Sequence, residues 1–423
     1  MRIAYITQSY PPMVSGASIV AKNLAESMAA RGHEVLVITA SDRGESYKSL
    51  NGNLTVLRLR SIHNPFRVGQ KFTLPSHRKF IKELRDFQPD LIHTHEALQL
   101  GLLSLAYKRK HDTPVLLTIH AMPNFAVKYI PEMFSGFRST LETLLWLYAW
   151  IILPKFDVVT TPTQTTSGTV YAMTNIRPLS ISNGVDLDEF TTTRLTPEME
   201  TFLHEKLGIP LNVSIILHVG RLDTDKRVDR VICAAVKPLR ETRAHLLVVG
   251  DGRQKPALQK LCKSLGIEKK CHFPGYVSKE EGLPDIYRMA NLFVTASEIE
   301  TQGIVLLEAA ASGLPIVAVL ATCIPEIVHD GENGYLATPG DIPALGNAML
   351  DILCHPHRGA QMGMVGRSII QEHRIQATFT QYEQVYAGLK TNKQAYPISF
   401  ATKARQSWTR AKEWMRMFSS IPM

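Results

Sequence analysis

Disulfide chemistry has little to work with in this chain. Its 423 residues include five cysteines, Cys233, Cys262, Cys271, Cys323 and Cys354, spread far apart with no CxxC pair. That spacing indicates neither a disulfide framework nor a cysteine-built zinc site, and fits isolated, reduced thiols in a cytosolic protein. Long apolar runs are also missing. The longest candidate, Leu141–Leu153, contains Glu142 and falls short of the ~18–20 residues that span a bilayer. The start shows no signal-peptide pattern: a charged residue precedes a short apolar strand, and Pro11 and Pro12 follow soon after. Acidic residues are outnumbered, giving a net charge of +9. Residues 391–423 carry Lys393, Lys403, Arg405, Arg410, Lys412 and Arg416 against Glu413 alone, a local +5. A basic tail calls for a negatively charged partner at the tail, and argues against a nucleic-acid-binding fold.

What is present is a regular alternation. Short β-branched runs at Ile3–Ile6, Val35–Thr39, Leu54–Leu59, Leu91–His93, Val115–Ile119, Val158–Thr160 and Leu179–Ile181 are separated by helical stretches such as Ala17–Arg31, closed by Gly32. The pattern restarts at Ile215–Val219, Leu246–Val249, Leu292–Thr295 and Ile316–Val319. Alternation of this kind predicts an α/β protein with parallel sheets covered by helices. The length favours two domains. We expect an N-terminal Rossmann-like domain over residues 1–190, a C-terminal one over 207–370, and a crossover helix with a basic tail over 371–423. The Thr- and Pro-rich stretch Asn183–Asn212 reads as the linker. Ligands in such sheets bind beyond the carboxyl ends of strands, so chemistry is sought just after them.

Two segments stand out there. Gly220-Arg221-Leu222-Asp223-Thr224-Asp225-Lys226-Arg227 follows the first strand of the second half, and its Arg221 and Lys226 suit a pyrophosphate. The second runs from Ser297 to Pro315. Glu300 falls in the loop after a strand, Gly303 opens an apolar helix, and Gly303, Ile304 and Val305 offer free backbone N–H groups to phosphate oxygens. Glu308 lies inside that apolar helix, too deep for a favourable helix-dipole effect, and needs a partner such as the vicinal hydroxyls of a ribose. Two decoys are set aside. Asp186-Leu187-Asp188 has the spacing of a metal-binding acidic pair but lies in the linker. Gly250-Asp251-Gly252 opens like a dinucleotide turn, with Lys255 where the third glycine belongs.

On the Gly220–Lys226 turn, the Glu300/Glu308 pair and Asn183-Gly184-Val185-Asp186, residues 1–385 resemble a retaining glycosyltransferase of family 4 with the GT-B fold. The resemblance implies an interdomain cleft, with Arg221 and Lys226 neutralising the pyrophosphate leaving group. Glu300 would contact the donor sugar and Glu308 the ribose. It implies that the loop Pro11–Ala17 approaches the diphosphate through Gly16, with Ser15 where the family favours glycine. His120, ending the strand Val115–Ile119, takes the place of the family's cleft histidine near the donor sugar. His93 and His95 also end a strand, but no third ligand at sensible spacing supports zinc. No metal and no cofactor are expected; the donor is a nucleotide sugar, with UDP preferred and its base read by backbone near Tyr276–Val277.

The tryptophans bear on the acceptor. Trp146 and Trp150 lie in Leu141–Leu153, and Trp408 and Trp414 in the tail. Read as a helix, the tail places Ala404, Trp408, Ala411, Trp414, Met415 and Phe418 opposite Arg405, Lys412 and Arg416, the pattern of an interfacial helix drawn to anionic lipid. The Glu-Thr-Gln-Gly form of the glutamate motif resembles bacterial synthases that glycosylate diacylglycerol. The expectation is a hexosyltransferase with a lipid or glycan acceptor, peripheral at the inner face of the cell membrane.

Overall fold

The structure is a computed structural model that describes residues 1–391, apart from residues 14, 65–70, 75–76 and 128–135. The expected basic tail, with Trp408 and Trp414, lies outside the described residues.

The strands in chain order are β1 (Arg2–Ile6), β2 (Glu34–Ala40), β3 (Tyr47–Asn51), β4 (Leu54–Leu59), β5 (Ser61–His63), β6 (Lys71–Thr73), β7 (Leu91–Thr94), β8 (Val115–Thr118), β9 (Val158–Thr161) and β10 (Leu179–Ser180). They continue with β11 (Ile215–Val219), β12 (His245–Val249), β13 (Cys271–Gly275), β14 (Leu292–Val294), β15 (Ile316–Val319) and β16 (Gly334–Ala337). Eight of the first ten form one sheet in the order β10-β9-β8-β7-β1-β2-β4-β3, parallel except for β3. The last six form a wholly parallel sheet in the order β13-β12-β11-β14-β15-β16. Strands buried on both faces explain the continuous apolar runs: β8 and β11 are enclosed over their whole length. The second sheet has the doubly wound nucleotide-binding order, with its topological switch point between β11 and β14; the first switches between β1 and β7.

The chain crosses between lobes at the very start of the stretch read as the linker. Val185, Leu187 and Phe190 already pack in the second lobe's core, and the stretch read as a loose linker contains helix Pro197–Leu207. Thr196 caps that helix by accepting from Met199 N–H, and Gly208 ends it in a left-handed conformation. Helix Ile375–Thr391 returns to the first lobe, where Tyr382, Val385, Tyr386 and Leu389 pack against Ile3 and Tyr5. The outgoing and returning segments are bonded to each other: Val185 N–H donates to His373 O at 2.8 Å and Ile375 N–H to Val185 O at 3.0 Å. Gly184 sits between them with φ of 77°, where a β-carbon would stand 2.7 Å from Ile375 Cα. Glycine is therefore demanded at this position of the Asn-Gly-Val-Asp signature.

Two further differences from the sequence reading concern side chains. Cys262 and Cys271 are not isolated: their thiols lie against each other, and that contact, together with burial, raises the thiol of Cys271. Trp146 is 5% exposed and belongs to the first lobe's core. The indole therefore anchors its helix inward, where the sequence pattern suggested the membrane boundary.

Candidate active site

The cation loop is shaped by its neighbour. Gly220 N–H donates to Val249 O at 3.0 Å and Leu222 N–H to Asp251 O at 2.9 Å, so Gly220–Leu222 lies against Gly250–Gly252. A β-carbon on Gly250 would meet Gly220 O at 1.8 Å. The glycine pair that imitates a dinucleotide turn is thus a packing device for the loop that carries Arg221. Asp223 and Asp225 hold the Arg221 guanidinium, the second at 2.9 Å. Lys226 closes a short 3-10 turn, and its Nζ lies 2.6 Å from Glu300 Oε1. Cation and carboxylate come from opposite sides of the β11/β14 switch point.

Glu300 is braced by its own loop: its N–H donates to Thr322 Oγ1 at 3.3 Å, and the Cys323 thiol donates to its carbonyl at 3.3 Å. Beyond it, Gly303 caps helix Ile304–Ala311 in a left-handed conformation without any side-chain cap. The first amide to find an acceptor is Leu306, on Gly303 O. An uncapped helix start leaves amide hydrogens and positive dipole facing outward. Across the cleft, helix Gly16–Ala30 starts opposite. A β-carbon on Gly16 would lie 3.7 Å from Ile304 Cδ1, so the two helix starts converge. Ser15, where glycine was expected, is the N-cap of that helix: its hydroxyl accepts from Ser18 N–H, and Ser18 Oγ accepts from Ser15 N–H.

Glu308 is enclosed and accepts a hydrogen bond from Tyr287 Oη at 2.9 Å. Burial pushes its carboxyl up to about 7, against the pull of Lys279 and Tyr287. It faces a small interlobe cavity shared with Asn23, Asn183, Gly184 and Ile304.

On the first lobe, His120 follows β8 and is joined to the second lobe through its backbone. Thr301 Oγ1 donates to His120 O at 3.2 Å, while Thr163 and Thr166 donate to Thr301 O at 2.9 and 3.1 Å. Burial holds the His120 imidazole down at about 4. His95 stacks on it, with Nδ1 2.7 Å from His120 Nε2. His218, on β11, donates Nδ1–H to Val294 O at 2.9 Å and is likewise held neutral by burial, at about 4.

Arg221, Lys226, Glu300, Gly303, Ile304, Val305 and Glu308 therefore gather on one wall, and Gly16 and His120 on the facing one. Sequence reasoning missed Tyr287, Thr301, His95 and Asp225. Thr301 stood inside the quoted motif, and His95 at a strand end was the one available signal for a polar partner of His120; Tyr287 carried none. Asp186 of the acidic decoy accepts from the N–H groups of Asp188 and Glu189, as a turn-capping carboxylate does.

Two facing Rossmann-type sheets with cations and a helix start at one switch point define a GT-B transferase of a phosphate-activated group. Family models agree: Glycosyltransferase Family 4 matches residues 14–189 and Glycosyl transferases group 1 matches residues 199–368. The chain belongs to the family 4 type of glycosyltransferases and is a hexosyltransferase. It is 27% identical to an alpha-monoglucosyldiacylglycerol synthase of Acholeplasma laidlawii, over 79% of this chain and 84% of that one. It is 26% identical to the N-acetyl-alpha-D-glucosaminyl L-malate synthase of Bacillus anthracis, over 89% and 94%. Among solved structures, Anabaena HepE in complex with UDP-glucose shares the fold at a TM-score of 0.71 and 20% identity, covering 92% of this chain and 100% of that one.

Proposed function

We propose that the protein is a retaining enzyme that moves a hexosyl unit from UDP-hexose to a membrane lipid such as diacylglycerol. Glycosidic cleavage leaves negative charge on the β-phosphate and positive charge on the sugar. Arg221, Lys226 and the Ile304 helix start are fixed where they stabilise the first, without reorganisation at the moment of reaction. Glu300 faces the second, and Glu308 holds the ribose. His120 lies by the donor sugar. The departing phosphate takes the acceptor proton on the same face, so no metal or cofactor is required.

The observation that carries the lipid acceptor is helix Arg138–Ile152. Phe137, Leu141, Leu144, Leu147 and Ile151 recur at helical spacing and stand exposed, Phe137 by 69% and Leu144 by 55%. Leu98 and Leu102, at the start of helix Gln99–His111, are exposed as well, and Tyr148 Oη ties the two regions through Ala97 O at 2.5 Å. An apolar stripe of this kind marks an interaction surface, here for the membrane in which the acceptor sits. No helix among the described residues is long and apolar enough to cross a bilayer, so the contact is peripheral. The synthase of Acholeplasma laidlawii makes alpha-monoglucosyldiacylglycerol by name, and HepE was solved with UDP-glucose.

The test is product analysis with UDP-, GDP- and ADP-hexoses, offering diacylglycerol in mixed micelles beside soluble malate and oligosaccharides. Formation of hexosyldiacylglycerol from the UDP donor is expected. Transfer only to a soluble acceptor, as the name of the N-acetyl-alpha-D-glucosaminyl L-malate synthase suggests for that relative, would overturn the lipid reading, and transfer to a phosphoinositide or a surface polysaccharide would redirect it. Failure to bind any nucleoside diphosphate by calorimetry would reduce the protein to a non-catalytic GT-B binder.

A further inference from the structure

His95 and His120 end neighbouring strands, and the 2.7 Å between His95 Nδ1 and His120 Nε2 is a hydrogen bond in which one ring must donate. The two remaining nitrogens decide which. His95 Nε2 is enclosed and has no partner. His120 is only half-buried, and its Nδ1 is not among the enclosed, unpartnered atoms. Were His120 the donor, the neutral His95 ring would carry its own proton on Nε2, an enclosed N–H with nothing to accept it. Enclosed N–H groups left without an acceptor are rarer in folded proteins than unused acceptor positions. With His95 as donor, the enclosed atom is a bare lone pair, and both rings stay neutral.

We infer that His95 is a positioning residue: its Nδ1–H donates to His120 Nε2 and so fixes His120 as the tautomer that carries its proton on Nδ1, the nitrogen open to the cleft. His95 is itself held in plane. Its ring stacks on His93 at 4.3 Å and on Tyr5 at 6.0 Å. His93 is fixed at both nitrogens, by Tyr386 Oη and Thr118 Oγ1, each at 2.7 Å. Tyr386 belongs to the returning helix Ile375–Thr391, so the segment that closes the fold also sets the histidine pair. The chemistry follows from the tautomer. His120 presents a neutral N–H, which suits a sugar hydroxyl oxygen and gives a donor where a bare imidazole nitrogen would have given a base. This assignment to the sugar rests on the proposed placing of His120 beside the donor hexose.

The decisive measurement is nitrogen-15 NMR of the imidazoles in the full chain, because tautomers are read there independently of activity. The wild type is expected to show the His120 proton on Nδ1. In His95→Phe the proton should return to Nε2, with circular dichroism and UDP binding unchanged and turnover lower by on the order of tenfold, the scale of one lost hydrogen bond. His95→Asn, whose amide nitrogen can take the place of Nδ1, should restore the Nδ1–H signal and most of the turnover. A wild-type spectrum with the proton on Nε2, or persistence of Nδ1–H in His95→Phe, overturns the inference. Full turnover by His120→Ala would instead remove the donor-sugar reading of His120 and leave the tautomer assignment standing.

Discussion

The two lobes meet the same cleft with opposite electrostatics. The second lobe lines it with full charges that neutralise one another: Arg221 with Asp223 and Asp225, Lys226 with Glu300, and Arg230 with Glu298. Around His120 the first lobe lines it with neutral groups: His95 is bonded to His120, and Thr163 and Thr166 are bonded to Thr301 O. The difference teaches where each half of the reaction belongs. A diphosphate can displace the carboxylates around fixed cations, whereas sugar hydroxyls ask for uncharged donors and acceptors of set direction.

Substitutions can break that contrast or sharpen it. Lys226→Ala should lower kcat by about 10²–10³, the loss typical of one preorganised electrostatic contact, with the melting temperature nearly unchanged. His120→Ala on the neutral wall should cost roughly tenfold. Equal losses at the two positions, in steady-state assays of folded proteins, would erase the distinction. A second test concerns the segment joining the lobes. Gly184→Val places a β-carbon on Ile375 and forces a left-handed backbone on a branched residue, so stability should fall by about 2–4 kcal/mol in denaturant titration.

Acidity probes the walls through linkage. His93, His95 and His120 on one side and His218 on the other are held neutral below the ordinary 6.5. Their folded values are depressed, so stability is lost as pH falls from about 6.5 toward 4. Glu308 works in the other sense. Its carboxyl is raised from 4.5 to about 7, so its contribution fades as pH rises across that window. Glu308→Gln should therefore melt higher than the wild type at pH 8 and equally at pH 4.5, while binding UDP less tightly. A melting curve with no pH-dependent gap would show that Glu308 is solvated. The smallest effect expected is at the apolar stripe: Leu144→Glu with Leu147→Glu should reduce sedimentation with anionic liposomes several-fold and leave UDP binding intact.

Most of the architecture was legible because parallel strands buried on both faces write continuous apolar runs; β11 was read at its observed bounds, Ile215–Val219. The strands that escaped notice explain themselves. β3, β13 and β16 all lie at sheet edges, where one side is open and the residues are mixed, as in Tyr47–Asn51 and in Pro274 of β13. β5 and β6 are three-residue strands with too little length for any period. On the charged wall, every group of the site lies in two short segments after β11 and β14, so spacing found them. On the neutral wall the partners are brought together by tertiary packing from β7, β8 and helix Ile375–Thr391, and no local pattern announces such a meeting. Trp146 misled because residue type indicates a preference for the boundary, while helix phase decides which side of the helix reaches it.

The paired backbone at Val185 and Ile375 has a mechanical meaning. Both passages of the chain between lobes run side by side and are bonded to each other, so separation of the lobes is confined to a swing about one edge, as covers turn about a spine. The lobes are joined again at Thr301 and Glu326: Thr163 and Thr166 reach Thr301, and the Gln164 and Thr165 amides reach the Glu326 carboxylate. Any wider opening has to part those few hydroxyl and amide bonds, so its ease can be tuned at Glu326 without touching the groups that break the glycosidic bond.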